Sequence, residues 1–299
     1  MALDDVLQAV PELRGATAIE PLAGGLTNTN WKVVSPAGAY VVRISGRDTG
    51  LLAIDRENEA WNTRCAAEAG VGAPFVAFLP EHDALVLEFL DGDVMDAETL
   101  RRGDRIPAIA RACRRLHAGP RFLRDFDMFE IQRGYIGVVL ERGFRLPERY
   151  LDFEPQVRAL EGAMRVRREE LVPCNNDLLA ENFIDVGGEL RLIDYEYSGN
   201  NEPSFELGNV WSESNLSDEQ LEALVAEYYG APLRNKVARC RAWGLMSKYG
   251  WTLWGSIQDS ISDLDFDFWD WALEKYDRAV AEFDGAGFER LLAELALTD

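Results

Sequence analysis

Between Pro173 and Tyr197 the chain reads PCNNDLLAENFIDVGGELRLIDYEY, and three side chains in it offer hard oxygen: Asp177, Asn182 and Asp194. A carboxylate, an amide five residues on, and a second carboxylate delivered by a hairpin are the parts that phosphoryl transfer needs. In that chemistry the first Asp orients an attacking hydroxyl and accepts its proton, while the Asn and the later Asp hold magnesium ions that bridge the phosphates. Magnesium prefers oxygen ligands and keeps much of its own water, so this donor set suits it. A plain acidic loop with a surface hairpin would use the same residues merely to make turns. The D-x-x-x-x-N spacing alone does not separate the two readings; the hairpin that ends on Ile193-Asp194 favours the site.

These side chains need elements to hold them. The pattern predicts a hairpin from Asn182 to Val186, a Gly187-Gly188 turn, and a return over Leu190 to Ile193. Upstream it predicts a helix over Leu3 to Ala9, a strand over Ala16 to Pro21, and strands ending at Trp31–Val34 and covering Tyr40–Ile44. The stretch between the first two strands holds Gly24, Gly25, Thr27, Asn28 and Asn30. Backbone rich in glycine can lie close over phosphates and turn its N–H groups toward them, though a loose hairpin turn would read the same. Arg43 alternates with Val42 and Ile44 and therefore faces away from them. A helix over Asp55 to Ala69 carries Glu57 and Glu59, and strands are predicted over Phe75–Leu79 and Ala84–Phe89. Asp91-Gly92-Asp93 breaks the pattern, which places a boundary at Glu88 to Val94 and divides the chain into residues 1–90 and 91–299. Beyond it the chain is mainly helical. Ile106, Ile109, Ala110, Cys113 and Leu116 recur at helical spacing up to His117-Ala118-Gly119, and further helices are predicted over Met128–Arg142 and Phe153–Glu170.

The totals narrow the partners. With 47% hydrophobic and 28% charged residues over 299 positions, the chain has the composition of a folded globular protein with a sizeable core. A net charge of -21 would repel nucleic acid and anionic membranes, and it favours the approach of a small cation or simply keeps the surface solvated. Cys65, Cys113, Cys174 and Cys240 have no paired spacing and are expected as buried thiols. No stretch of about 20 apolar residues is present to span a bilayer, and the acidic start MALDDVLQAVPEL lacks the basic region of an export signal. The expected location is the cytoplasm. A homodimer stays open.

The last third is rich in rings. Trp251 and Trp254 lie three apart on a predicted helix and so share a face, and Phe266 and Trp271 are expected to begin the next helix after a turn at Ser262-Asp263. Aromatic stripes of this spacing are commonly core, but ring faces also attract a quaternary ammonium, which has no hydrogen to donate.

Asn175-Asn176-Asp177-Leu178 through Asn182, then Ile193-Asp194-Tyr195-Glu196-Tyr197, resemble the H-N-D-L-x-x-x-N and I-D-F-E-Y runs of the choline/ethanolamine kinase family, relatives of the aminoglycoside phosphotransferases. Trp251-Thr252-Leu253-Trp254 through Gln258 is similar to that family's W-G-L-W-x-x-I-Q, and the resemblance runs from Gly24 to about Arg278. It implies an α+β, protein-kinase-like fold of two lobes, with a small antiparallel β N-lobe and a large, mainly helical C-lobe. It further implies ATP and magnesium as cofactors and a small cationic alcohol, choline or a close amino alcohol, as acceptor. On this resemblance Asp177 is the base, and Arg43 contacts phosphate with Glu59 as its partner. Asn182 and Asp194 hold metal with Glu196 beside them. Gly24, Gly25, Thr27, Asn28 and Asn30 cover the nucleotide, and backbone at Glu88 and Phe89 meets adenine. Trp251, Trp254, Phe266 and Trp271 line the acceptor pocket, and His117 takes a structural place. Two positions depart from the pattern: Asn175 replaces the usual His and Glu206 the usual Asp. Alternatives are ethanolamine, thiamine or another cationic alcohol as acceptor, or a catalytically silent nucleotide- or amine-binding protein, which Asn175 motivates.

Overall fold

Alternation along Tyr40–Ile44 determines how the first sheet is used. Successive strand residues point to opposite faces. Tyr40, Val42, Ala84 and Val86 turn one way and are buried against Val6, Val10 and Leu13. Val41, Arg43, Leu85 and Leu87 turn the other way and line a cavity. The computed structural model describes residues 2–23, 25–46 and 49–298; Gly24 of the expected phosphate loop lies outside them. Helix α1 (Ala2–Ala9) precedes strands β1 (Ala18–Leu22), β2 (Asn28–Ser35) and β3 (Gly38–Ser45), followed by helix α2 (Arg56–Glu68) and strands β4 (Phe75–Leu79) and β5 (Ala84–Glu88). The five strands form one antiparallel sheet in the order β1-β2-β3-β5-β4. Asn28 and Asn30, expected in a loop, lie on β2 because they pair with Ser45 and Arg43.

After β5 the chain changes partners. Strand β6 (Asp93–Val94), which the sequence pattern left as linker, pairs with β8 (Phe183–Val186) rather than with the first sheet. Gly92 permits this approach, since a Cβ there would lie 2.5 Å from the Asp185 carbonyl. The helical part then runs through α3 (Ala97–Leu100), α4 (Ile106–His117), α5 (Met128–Arg142) and α6 (Glu154–Val166). Helix α5 has the bounds its signals predict. The Asp127 side chain caps its first turn, and Gly143, at φ 66°, ends it in the left-handed region. Helix α6 stops at Val166, short of the expected Glu170.

Strand β7 (Val172–Cys174) pairs with β10 (Gly199–Asn201), and between them β8 and β9 (Glu189–Leu192) form the predicted hairpin. Both Gly187 and Gly188 have positive φ in its two-residue turn, which matches the right-handed twist of the strands. Helices α7 (Pro203–Glu213), α8 (Asp218–Tyr229), α9 (Arg234–Ile261), α10 (Phe268–Phe283) and α11 (Phe288–Glu294) complete the chain. Helix α9 is 28 residues long, about 42 Å. It is buried almost throughout between Ala238 and Gln258 and packs against α5, α7 and α10. All four cysteines are buried free thiols, as expected. Among the described residues no helix is long and apolar enough to cross a membrane.

The result is a small antiparallel sheet set on a mainly helical body, the α+β two-lobed arrangement that the sequence implied.

Candidate active site

Asp177 sits in a loop that is bonded on both sides. Helix α7 presents Glu206 and Asn209 on one face, three residues apart. The two carboxylate oxygens of Glu206 accept the Asn175 and Asn176 backbone N–H groups at 2.8 Å each, and Asn209 Oδ1 accepts that of Leu178 at 2.7 Å. On the other side Asn175 Nδ2 donates to the carbonyls of Ile193 (3.1 Å) and Asp194 (2.8 Å), while its Oδ1 accepts the Asp177 N–H at 3.1 Å. Asn175 therefore joins the Asp177 loop to the Asp194 loop with a fully buried amide, a task that needs a donor and an acceptor on one side chain. His117 is buried at the end of α4, its Nδ1 2.7 Å from the Tyr228 hydroxyl, in a packing role.

Asp194 is held at φ 62°, a left-handed conformation that costs a non-glycine residue about 1–3 kcal/mol and persists only where surroundings enforce it. Its Oδ2 meets Arg43 Nη2 at 2.6 Å, and its Oδ1 is buried without a hydrogen-bond partner among the described residues. Asn182 does not begin the hairpin strand as expected but ends the 3-10 turn Ala180–Asn182. Its Nδ2 donates to the Asp177 carbonyl at 2.7 Å, an orientation that leaves Oδ1 available. An unpaired carboxylate oxygen on Asp194 and an amide oxygen on Asn182 are hard donors of the kind magnesium takes, so the residues fit the metal.

Arg43 and Glu59 come together as the sequence suggested. Arg43 Nη1 lies 2.5 Å from Glu59 Oε1, whereas Glu57 is exposed on the far side of α2. Burial would lower the Arg43 pKa, but the carboxylates of Asp194, Glu59 and Glu196 outweigh it and raise the value, so the guanidinium stays charged. Arg56, which the sequence reading did not single out, completes the cluster by donating to Glu59 Oε2 at 2.6 Å and Glu196 Oε2 at 3.3 Å. Its only sequence signal was the i,i+3 spacing to Glu59.

Glu196, expected beside the metal, carries more hydrogen bonds than Asn182 or Asp194. Its carboxylate accepts Thr27 Oγ1 at 2.8 and 3.0 Å and Asn28 Nδ2 at 2.9 Å, tying the loop before β2 to the helical lobe. Thr27 lines the Asp177 side of the cleft, Gly25 and Asn30 line the sheet side, and the Asn28 amide is engaged by Glu196. Burial, with Asp194 adding like charge, pushes the Glu196 carboxyl up to about 7. Between about pH 4.5 and pH 7 the folded chain then holds a proton that the unfolded chain has released, so stability falls as pH rises through that window. In metal-free protein this slope is worth roughly 3 kcal/mol. Thermal melts from pH 5 to 7.5 should show it in wild type and a flatter profile in Glu196→Gln; equal slopes would remove Glu196 as its source.

Two cavities meet at these residues. One, of about 390 Å³, lies under the sheet and is lined by Val41, Arg43, Leu87, Glu88, Phe89 and Leu90. The other, of about 500 Å³, is lined by Asp177, Tyr197, Trp251, Trp254, Phe266 and Trp271. Gly25, Asn182 and Asp194 belong to both. Burial and the charges of Asp194, Glu213 and Glu196 raise the Asp177 carboxyl well above its ordinary range, with Lys275 opposing them. Phe266 precedes α10 instead of opening it, because the Asp267 side chain caps the helix that starts at Phe268, and the ring is 42% exposed at the cavity mouth. Glu213 and Lys275 also line this cavity, and the sequence reading missed both.

Comparison with known proteins bears on the family and the fold. The family model described as choline/ethanolamine kinase matches residues 19–236. Ethanolamine kinase 1 of Homo sapiens is 26% identical over 277 residues, covering 80% of this chain, which spans 60% of the human protein's length. A choline/ethanolamine kinase family protein from Mesorhizobium loti superposes with a TM-score of 0.85 at 31% identity, covering 99% of each chain. The choline kinase LicA from Streptococcus pneumoniae shares the fold with a TM-score of 0.78 at 23% identity, covering 97% of this chain and 98% of its own.

Proposed function

The chain belongs to the choline/ethanolamine kinase family, and from that premise we propose that it transfers the γ-phosphoryl group of ATP to the hydroxyl of a small amino alcohol, choline or ethanolamine in type. The observation that carries this reading is the pair of cavities sharing Asn182 and Asp194. A nucleotide in the sheet-side cavity and an alcohol beside Asp177 would present phosphate and hydroxyl to one another at that junction.

Each residue then has a task. The apolar walls Val41, Leu87 and Leu90 enclose the base, next to the Glu88–Phe89 backbone. The Phe89 N–H is already bonded to the Ala39 carbonyl, so the adenine contact falls to neighbouring backbone such as Leu90. Arg43, kept charged and aimed by Glu59, faces the phosphates with a planar fork that suits their oxygens. Asn182 Oδ1 and Asp194 Oδ1 would hold magnesium, which neutralises charge on the phosphates when bound. Asp177, its basicity raised by burial and like charge, orients the hydroxyl and takes its proton. Glu196 keeps the Thr27–Asn28 loop down over the cleft. Little covalent help is needed, because placement and charge neutralisation supply most of the acceleration in phosphoryl transfer. A lobe boundary at about residue 90 is supported by the change of strand partner between β5 and β6.

A coupled ADP-release assay with ATP, magnesium and a panel of amino alcohols tests this. Turnover that is lost on chelation and in Asp177→Ala supports it. Binding of an amino alcohol by calorimetry with no ADP release from any of them would favour a silent binder. That alternative was motivated by Asn175, whose hydrogen bonds nonetheless hold the loop together.

A further inference from the structure

Resting on the reading just given, we propose that the acceptor pocket selects an ammonium that still carries an N–H, because Lys275 already occupies one ring face and Glu213 offers a single buried acceptor. Lys275 lies four residues after Trp271 on α10, so both face the cavity. Its Nζ stands 4.4 Å from the centroid of the Trp271 ring, the position a substrate cation would take on that indole. The same ammonium pairs with Glu213 Oε2, and both side chains are only 4% exposed. The chain thus supplies its own cation to one wall of the aromatic site.

What remains is uneven. Glu213 lines the cavity, and its Oε1 is buried with no hydrogen-bond partner among the described residues. Trp254 and Trp251 still border the space, with Trp254 Nε1 bonded to the Tyr197 hydroxyl at 2.6 Å. A quaternary head can rest on these rings, but it has no hydrogen to give and leaves a charged oxygen buried without a donor. An ammonium with even one N–H satisfies that oxygen. Leaving a buried acceptor unpaired is penalised, and a charged one more than a neutral one.

The distinguishing measurement is a methylation series: ethanolamine, its N-methyl and N,N-dimethyl derivatives, and choline, each assayed for kcat/KM. With one unpaired oxygen on Glu213 to satisfy, the first two methylations should change kcat/KM little. The last removes the final N–H and should lower it about tenfold or more. Choline equal to or better than the dimethyl compound would overturn the proposal. If none of the four releases ADP, the phosphotransfer reading fails separately, and calorimetry on the same series decides: tighter dimethyl than choline binding by about tenfold supports the pocket reading, and equal or weaker binding overturns it. The double variant Glu213→Leu with Lys275→Met replaces the buried pair by apolar groups of similar size, an exchange that folds usually tolerate. It removes the acceptor and frees the Trp271 face, so the dimethyl-to-choline ratio should move about tenfold toward choline; an unchanged ratio would also overturn the assignment.

Discussion

Asp177→Asn is expected to lower kcat by about 10²- to 10⁴-fold, the range for removing a positioned general base. The KM for ATP should hardly move, because Asp177 lines the acceptor cavity and not the one under the sheet. The same variant should be more stable than wild type. Its carboxyl is raised well above the ordinary range by burial and by Asp194, Glu213 and Glu196, so a neutral amide of equal size relieves desolvation and repulsion together. A dead enzyme with a higher melting temperature is the trade expected where a site is built for chemistry rather than stability. In wild type the base works only when unprotonated, so kcat should rise with pH through the Asp177 pKa. A variant that retained more than a tenth of wild-type kcat would remove Asp177 from the base role.

The second large effect concerns Glu206, which lines neither of the two cavities. Its two oxygens take the N–H groups of Asn175 and Asn176, and Asn176 is held at φ 67°. Glu206→Leu would strand two buried donors, each costing about 1–3 kcal/mol, so a loss of about 3 kcal/mol or more is expected in urea unfolding. Asp177 follows immediately in the chain, so kcat should fall as well. Glu206→Gln keeps one accepting oxygen and should lie between. An unchanged urea midpoint in Glu206→Leu would show that the loop is held by other bonds, those of Asn175 and Asn209 first among them.

Much of the site was legible because its chemistry is local in sequence. Asp177 and Asn182 sit on one loop, Asp194 just past the hairpin that follows, and the Gly187-Gly188 turn announces that hairpin by its backbone requirement alone. Arg43 could be placed facing away from its neighbours by strand alternation, and the resemblance named Glu59 over its neighbour Glu57 as the partner, the pair the structure forms. The residues that escaped notice make contacts far along the chain. Arg56 reaches Glu196 across 140 positions, and Lys275 reaches Glu213 across 62. No local pattern encodes such a pair, since each partner alone reads as a charged residue on a helix face. The misplaced Phe266 differs in kind: Asp267 with Asp270 three residues later was an available capping signal that outweighed the apolar start. Asn28 and Asn30 were read with the Gly-rich stretch before them as one loop over phosphates, but pairing with β3 puts both on a strand.

Phosphoryl transfer as proposed would require one divalent ion shared by Asp194 and Asn182 beside Asp177. Crystals grown with manganese and a non-hydrolysable ATP analogue test it through the manganese anomalous signal. An anomalous peak is expected within bonding distance of both Asp194 Oδ1 and Asn182 Oδ1, with the analogue's terminal phosphate turned toward the Asp177 cavity. A nucleotide bound with its metal elsewhere, and Asn182 and Asp194 both left out of its coordination, would contradict it.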